Sequence, residues 1–129
     1  ARNDVRDGIR MDKINLLEKF ALFSQPWQPK IIAALNGQHV KLARLKGEFI
    51  WHHHKAEDEL FLVVQGQLTI EFRDRAVVLE PGELIVVPAG VEHRPVATEE
   101  ALVLLLEPQS TRNTGEVLSE RTVEALEWI

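Results

Sequence analysis

The chain has 129 residues, and its 15 basic and 20 acidic side chains give a formal net charge of −5. It contains no cysteine, which excludes disulfides, thiolate zinc sites and cysteine nucleophiles. No long Lys/Arg run indicates nucleic acid or an anionic membrane as a partner, no apolar run approaches the roughly 20 residues of a membrane-spanning helix, and the first residues lack the apolar segment of a signal peptide. We therefore expect a cytoplasmic protein.

The N-terminal part of the chain predicts a short helix. Met11 resembles a natural start, so we interpret residues 1–10 as vector-derived or as an extended start without a role in the fold, and residues 11–129 as a single domain. Apolar side chains recur at helical spacing over 12–23, which is typical of a short amphipathic helix. Pro26 and a second proline that follows it prevent the helix from continuing.

The rest of the chain reads as short strands separated by turn residues. The clearest hairpin signal is the Asn36-Gly37 pair between two apolar runs, because these residues tolerate the positive φ angles of a type I′ turn. Evenly spaced short strands predict an all-β sandwich or barrel. The tail from Ser119, a plausible N-cap, could carry a short turn of helix. The nine predicted strands are 30–35, 38–45, 49–54, 60–65, 67–72, 76–80, 83–87, 92–98 and 101–107.

Three consecutive histidines stand in the middle of the chain, in the stretch WHHHKAEDELF. Successive side chains of a strand alternate faces, so His52 and His54 share one face and lie about 7 Å apart along it, from two steps of roughly 3.3 Å. His53 points the other way, together with Trp51 and Phe49. If the first face is the barrel interior, two imidazoles project inward and can converge on one ion.

Two further side chains are candidate ligands of the same ion. Glu59 opens the next predicted strand, and His93 follows the turn at Gly90. Imidazole nitrogen and carboxylate oxygen together suit Mn, Fe, Co, Ni or Zn and do not choose among them. The competing interpretation is that the histidines are ordinary polar groups of the surface or core. We prefer that interpretation for His39 and His53, which we expect to face outward.

At these residues the chain resembles a known family, the cupins. Two cupin-like motifs occur in the correct order. The first glycine lies one residue closer to the histidine pair than in the family pattern, and Ala97 stands where the second motif ends in Asn. The motifs read Gly47-x4-His52-x-His54-x4-Glu59-x6-Gly66 and Gly82-x5-Pro88-x-Gly90-x2-His93.

The resemblance implies a fold, a metal and an assembly. The fold would be a double-stranded β-helix, the jelly-roll barrel of the cupins, commonly assembled as a homodimer. The chain looks like a small single-domain bacterial cupin of the mannose-6-phosphate isomerase-like, cupin 2 type. By the resemblance, a divalent transition metal (Mn, Fe, Ni, Co or Zn) would be held by His52, His54, Glu59 and His93.

Alternation also nominates residues that line the pocket around the ion. Phe61, Val63 and Phe72 are expected to face it and to make it mainly apolar. Arg44 has two open interpretations. It either faces inward and holds a carboxylate or phosphate of the ligand, or it is a surface charge, which we prefer.

These features leave three functional hypotheses open. The first is a metal-dependent enzyme of isomerase, lyase or oxygenase type acting on a small oxygenated organic molecule; no separate acid or base is obvious in the sequence. The second is a non-catalytic module that binds a small molecule at the metal, and the third is a purely structural metal site. For the outward aromatic patch of Trp51 and Phe49, the cover is either a second subunit or the N-terminal segment with Trp27.

Overall fold

The computed structural model describes residues 11–123 and 125–129, so the interpretation of residues 1–10 lies outside the described part of the chain. Within that part, one short helix precedes seven strands, and all strand pairs are antiparallel. The jelly-roll all-β prediction is confirmed. The elements are α1 Leu16–Phe20, β1 Lys30–Leu35, β2 Gln38–Glu48, β3 Glu59–Gln65, β4 Leu68–Phe72, β5 Ala76–Leu79, β6 Leu84–Val87 and β7 His93–Pro108.

Helix α1 is shorter than the sequence pattern predicts. Asn15 has extended backbone angles, and its side-chain oxygen accepts a hydrogen bond from the Glu18 N–H at 3.0 Å, which marks the N-cap. The helix ends at Phe20, whose ring is buried against Leu42 of β2 and Leu102 of β7. This contact fastens the helix to one face of the sheet, while the barrel core lies on the other face.

Strand β7 is the centre of the fold. The sequence predicted two strands over this region, but the structure has one strand of 16 residues that pairs with β2, β3 and β4. The register between β2 and β7 shifts between Leu45, opposite Ala101, and Gly47, opposite Ala97. The extra residues on β7 at this point form a bulge that bends the strand, which lets one strand serve both halves of the barrel.

The β1–β2 hairpin forms as predicted. Asn36 and Gly37 both have positive φ, 48° and 76°. A type I′ turn requires positive φ at both central positions, so the local sequence and the register of the hairpin agree.

The segment 49–54 is not a ladder strand, and this corrects two sequence expectations. Its described pairing is one isolated bridge at His52, and Phe49 points into the core rather than outward. The Phe49 ring stacks on Trp27 with ring centroids 4.7 Å apart. The N-terminal segment, through Trp27, therefore covers Phe49. This is one of the two covers expected for the aromatic patch. Trp51 remains half-buried outside, with the Arg73 guanidinium 3.8 Å from its ring centroid.

The described part of the tail has no helix, contrary to the expectation at Ser119. Ser119 Oγ accepts from the Arg121 N–H and so closes a tight turn instead. Further along, the Ile129 N–H donates to the Ile31 carbonyl at 3.0 Å, and Trp128 bridges Ile31 in parallel. The tail thus runs along the free edge of β1. No helix in the described residues is long and apolar enough to span a bilayer.

Candidate metal centre

Four side chains from three parts of the chain meet inside the barrel. His52 and His54 come from the segment 49–54, Glu59 opens β3 and His93 opens β7. The His52 N–H donates to the His93 carbonyl at 3.0 Å, and the His93 N–H donates to the His52 carbonyl at 2.9 Å. This reciprocal pair fixes the histidine segment against the start of β7, so both histidines face the same interior.

The four side chains are close enough to share one ion. Each offers a ligand atom within 4.8 Å of the others, and all four side chains are buried. Glu59 Oε1 lies 3.2 Å from His54 Nε2 and 3.3 Å from His93 Nε2. Buried imidazoles that surround one carboxylate oxygen form a nitrogen-and-oxygen donor set suited to a divalent transition metal.

Backbone carbonyls orient two of the imidazoles. His52 Nδ1 donates to the Ile50 carbonyl at 3.0 Å, and His93 Nδ1 donates to the Val91 carbonyl at 2.8 Å. With Nδ1 carrying the proton, the neutral ring presents the lone pair of Nε2 to the cluster. A hydrogen bond on the far nitrogen is the usual support of a metal-bound histidine.

His54 supplies the test of whether an ion fits this site. Its ring is buried, and neither ring nitrogen has a hydrogen-bond partner among the described residues. Buried polar atoms without a partner are rare and costly, and a cation would satisfy one of these nitrogens. The residues present therefore fit a bound metal.

The electrostatics keep the cluster in its ligating form. Burial, and then the nearby His93, lower the pKa of His52 to about 4, so its ring is neutral at neutral pH. Burial opposes ionisation of Glu59, but the imidazoles of His54 and His93, whose Nε2 atoms lie 3.2 and 3.3 Å from its Oε1, outweigh burial and hold the pKa of Glu59 well below its usual range. A neutral imidazole and an ionised carboxylate are the forms that bind metal.

Two cavities adjoin the cluster. The larger one, the polar cavity, has a volume of about 370 Å³ and is lined by His54, Lys41 and Thr111 among other mostly polar residues. The smaller one, the apolar cavity, has a volume of about 40 Å³ and includes His52 and Glu59 in its lining. A ligand of the metal can therefore meet both polar and aromatic surface. The aromatic lining of the apolar cavity is Trp27, Phe49 and Phe61.

The structure places the four residues predicted to line the pocket in different surroundings. Phe61 lines the apolar cavity, whereas Val63 is fully buried deeper in the core and Phe72 packs half-buried against its edge. Arg44 faces away from the barrel, where its guanidinium donates to the carbonyls of Phe20 and Phe23. The inward interpretation of Arg44 is therefore wrong.

Two functional candidates escaped the sequence analysis. Lys41 Nζ lies 2.7 Å from Glu107 Oε1, and both side chains are buried inside the barrel. Burial, and then the charge of nearby Glu59, raise the pKa of Glu107 well above its usual range. The available signal was the alternation of Lys41 with the inward-facing Ala43 and Leu45, which placed a charge on an apolar face.

The C-terminal segment closes over the histidines. The Glu116 N–H donates to the His53 carbonyl at 3.2 Å, and Gly115 packs directly against the same carbonyl with φ +59°. A Cβ at Gly115 would overlap that oxygen, so only glycine fits there. His53 is half-buried beneath this cover, and His39 is half-buried with its ring against Trp128.

Comparison with known proteins agrees with this geometry. The Cupin domain family matches residues 38–107, a range that contains all four cluster residues. A solved structure, a cupin-2 domain containing protein from Shewanella frigidimarina NCIMB 400, is 47% identical, with a TM-score of 0.74 over 74% of this chain and 94% of that chain.

Two curated relatives share the same region. The YdbB protein of Bacillus subtilis strain 168, described as uncharacterized, is 41% identical over 78 residues, or 60% of this chain and 63% of that protein. Acireductone dioxygenase of Pseudomonas aeruginosa strain UCBPP-PA14 is 38% identical over 66 residues, or 48% of this chain and 36% of that enzyme. The matches thus span less than two thirds of these relatives' own length.

Proposed function

The chain belongs to the cupin family, and from that premise we propose that it is a metal-dependent enzyme acting on a small oxygenated organic molecule. The observation that carries this proposal is the cluster of His52, His54, Glu59 and His93, in which buried ligand atoms lie within 4.8 Å of one another. Among isomerase, lyase and oxygenase chemistry, the likeness to acireductone dioxygenase favours an oxygenase. The mannose-6-phosphate isomerase-like, cupin 2 subtype stays a prediction from the sequence motifs.

The four cluster residues would hold the metal through three imidazole nitrogens and one carboxylate oxygen. When bound, a divalent transition ion supplies Lewis acidity or, with a redox-active metal, a place to activate dioxygen. The protein contributes four buried ligand side chains and fixed donors. The carbonyls of Ile50 and Val91 hold two of the rings in place, and Trp27 and Phe49 cover the apolar cavity.

We also propose that the protein forms a homodimer through the outer apolar face, which comprises Leu60, Leu62, Leu84, Val86, Leu104 and Leu106. The β3–β6 and β3–β7 registers place these side chains directly opposite one another on three neighbouring strands. Leu84 and Val86 are 54% and 49% exposed. Contiguous exposed apolar surface of this kind is typical of a protein–protein interface.

One experiment tests the enzymatic proposal. The purified protein is analysed for metals, reconstituted with Fe(II), Mn(II), Co(II), Ni(II) or Zn(II) in turn, and screened for oxygen uptake and product formation on enediols, catechols and hydroxy acids. We expect one metal per chain and turnover with at least one substrate. Saturable binding of a compound without turnover by any metal form would favour the non-catalytic binding module. A protein that takes up no metal would refute both the enzymatic proposal and the metal-centred binding module.

A further inference from the structure

A buried ion pair joins the two cavities beside the metal cluster. Lys41 Nζ donates to Glu107 Oε1 at 2.7 Å, and each side chain is 2% exposed. Lys41 belongs to the lining of the polar cavity, together with His54. Glu107 belongs to the lining of the apolar cavity, together with His52 and Glu59. The pair therefore presents one polar residue to each of the two spaces next to the cluster.

Stability of the fold does not account for this pair. Removing two charges from water costs about as much as their attraction returns, and replacing a buried pair by apolar residues of similar volume is often neutral or stabilising. Lys41 and Glu107 lie on inward positions among Ala43, Leu45, Val103 and Leu105, where an apolar pair would pack well. A role in binding explains a buried pair at these positions better than a role in packing does.

The two oxygens of the Glu107 carboxyl differ in their contacts. Oε1 is held by Lys41, while Oε2 is buried and has no hydrogen-bond partner within the described ranges 11–123 and 125–129. The Glu107 carboxyl lies close to that of Glu59, which places it beside the cluster. Because Lys41 fixes one oxygen, the direction of the other is fixed as well, which leaves a preoriented polar atom beside the cluster.

We propose that Glu107 is a ligand-binding residue and Lys41 its positioning residue. Oε2 of Glu107 forms a hydrogen bond with an oxygen group of a small molecule whose neighbouring oxygen binds the metal at the cluster, which assigns the site to compounds with vicinal oxygen functions. A carboxylate would accept from a hydroxyl and a carboxylic acid would donate to a carbonyl, so either form of Glu107 serves. The inference rests on the proposed metal-dependent function.

Two matched double variants separate hydrogen bonding from packing. Lys41→Met/Glu107→Leu removes both charges and the polar atom, whereas Lys41→Met/Glu107→Gln removes both charges but keeps a polar group at position 107. Both replace the pair with uncharged side chains of similar size, so both are expected to fold and to bind metal.

The measurement is a titration of the cobalt(II)-loaded proteins with acetohydroxamate, a chelator with neighbouring oxygens. Binding is monitored through the d–d absorption of cobalt. We expect equal cobalt content in all three proteins. Acetohydroxamate should bind about tenfold more weakly to the Leu variant than to the wild type, and the Gln variant should recover most of this loss.

Three results would overturn the inference. Equal acetohydroxamate affinity in all three proteins would show that Glu107 does not contact the ligand. A Gln variant as weak as the Leu variant would assign the pair a structural role, and loss of cobalt from the Leu variant alone would make Glu107 a support of the metal. If the wild type itself takes up no cobalt, it is the proposed function that fails.

A crystal structure of the wild-type cobalt protein with acetohydroxamate is a second test that needs no variant. A polar atom of the ligand should lie within hydrogen-bond distance of Glu107 Oε2. A ligand bound to cobalt but without this contact would overturn the inference even if neither double variant folds.

Discussion

His52 and His93, far apart in the sequence, exchange two backbone hydrogen bonds of 3.0 and 2.9 Å, and their rings lie 4.3 Å apart between centroids. The carbonyls that orient these rings belong to Ile50 and Val91, each two residues earlier in the chain. One backbone bridge therefore positions half of the candidate metal centre.

Loss of one cluster histidine should abolish metal binding. In His93→Ala, a nitrogen donor is lost and Glu59 Oε1 loses a neighbour at 3.3 Å. We expect metal content to fall from one ion per chain to near zero by elemental analysis. His53→Ala is the matched control, because His53 lies outside the cluster and should leave the metal content unchanged. Full metal in His93→Ala would exclude the assigned ligand set.

The metal-free protein should lose stability as the pH falls. The unfolded pKa of His52 is 6.5 and the folded pKa is about 4. Between these values the unfolded state binds more protons, so the free energy of unfolding decreases on acidification through this window and levels off below it. The effect of His52 is about 3 kcal/mol. The low pKa of Glu59 acts in the same direction at lower pH, because its stabilisation is lost as the carboxylate protonates.

Urea unfolding of the chelator-treated protein at pH 7.5, 6.0, 5.0 and 4.5 measures this dependence. His52→Gln should flatten the curve between pH 6.5 and 4, because it removes the group that titrates there. An unchanged slope in His52→Gln would mean that another group is responsible for the loss of stability.

Gly115→Ala should destabilise the C-terminal segment over the histidines. The loss in the free energy of unfolding should exceed the cost of a positive φ alone. A Cβ there would collide with the His53 carbonyl, whereas a Cβ at Gly37 meets nothing within 4 Å. We expect Gly37→Ala to cost about 1–2 kcal/mol from its backbone conformation and Gly115→Ala to cost more. Urea midpoints and proteolysis of the tail measure both variants, and equal costs would contradict the close approach.

Arg44→Met should weaken the fold without changing the metal centre. The side chain donates to the carbonyls of Phe20 and Phe23 and pairs with Glu100 at 2.6 Å. We expect a loss of about 2 kcal/mol in the free energy of unfolding, with unchanged metal content and ligand affinity. Arg73→Met, which breaks an exposed ion pair and a contact with the Trp51 ring, is the control and should cost clearly less than Arg44→Met. Weaker ligand binding in Arg44→Met would contradict this expectation and support the inward interpretation of Arg44.

Leu84→Glu should dissociate the proposed dimer, because it places a charge on the outer apolar face at a position that is 54% exposed. Light scattering coupled to size exclusion should show a dimer for the wild type and a monomer for this variant. Leu22→Glu, at an exposed position outside that face, should stay dimeric. A monomeric wild type would refute the proposed interface.

Much of the fold follows from local sequence signals. The Asn36-Gly37 turn fixes its own hairpin because the two residues tolerate positive φ, and the strand β4 appears as a simple alternation. The motif spacing also selected the four residues that the structure brings together. These features depend on neighbours in the chain, so they can be recognised without the tertiary structure.

Counting alternate residues failed where the ladder is interrupted. Extending the parity of His52 and His54 back to Arg44 gave the inward interpretation, which we did not prefer and which is wrong because the register shifts after Leu45 and the following segment leaves the ladder. The same interruption turned Phe49 inward. Alternation holds only within one continuous strand, since each bulge or bend resets the face that the next side chain takes.

The sequence alone thus determined the β architecture, the first hairpin and the identity of the cluster residues, because propensity, turn chemistry and motif spacing are properties of short stretches. The tertiary structure decided that β7 is one bent strand, that Trp27 covers Phe49, and that Lys41 and Glu107 meet beside the cluster. These relationships join residues distant in the chain, and they arise only when the strands pair and the barrel excludes water from its interior.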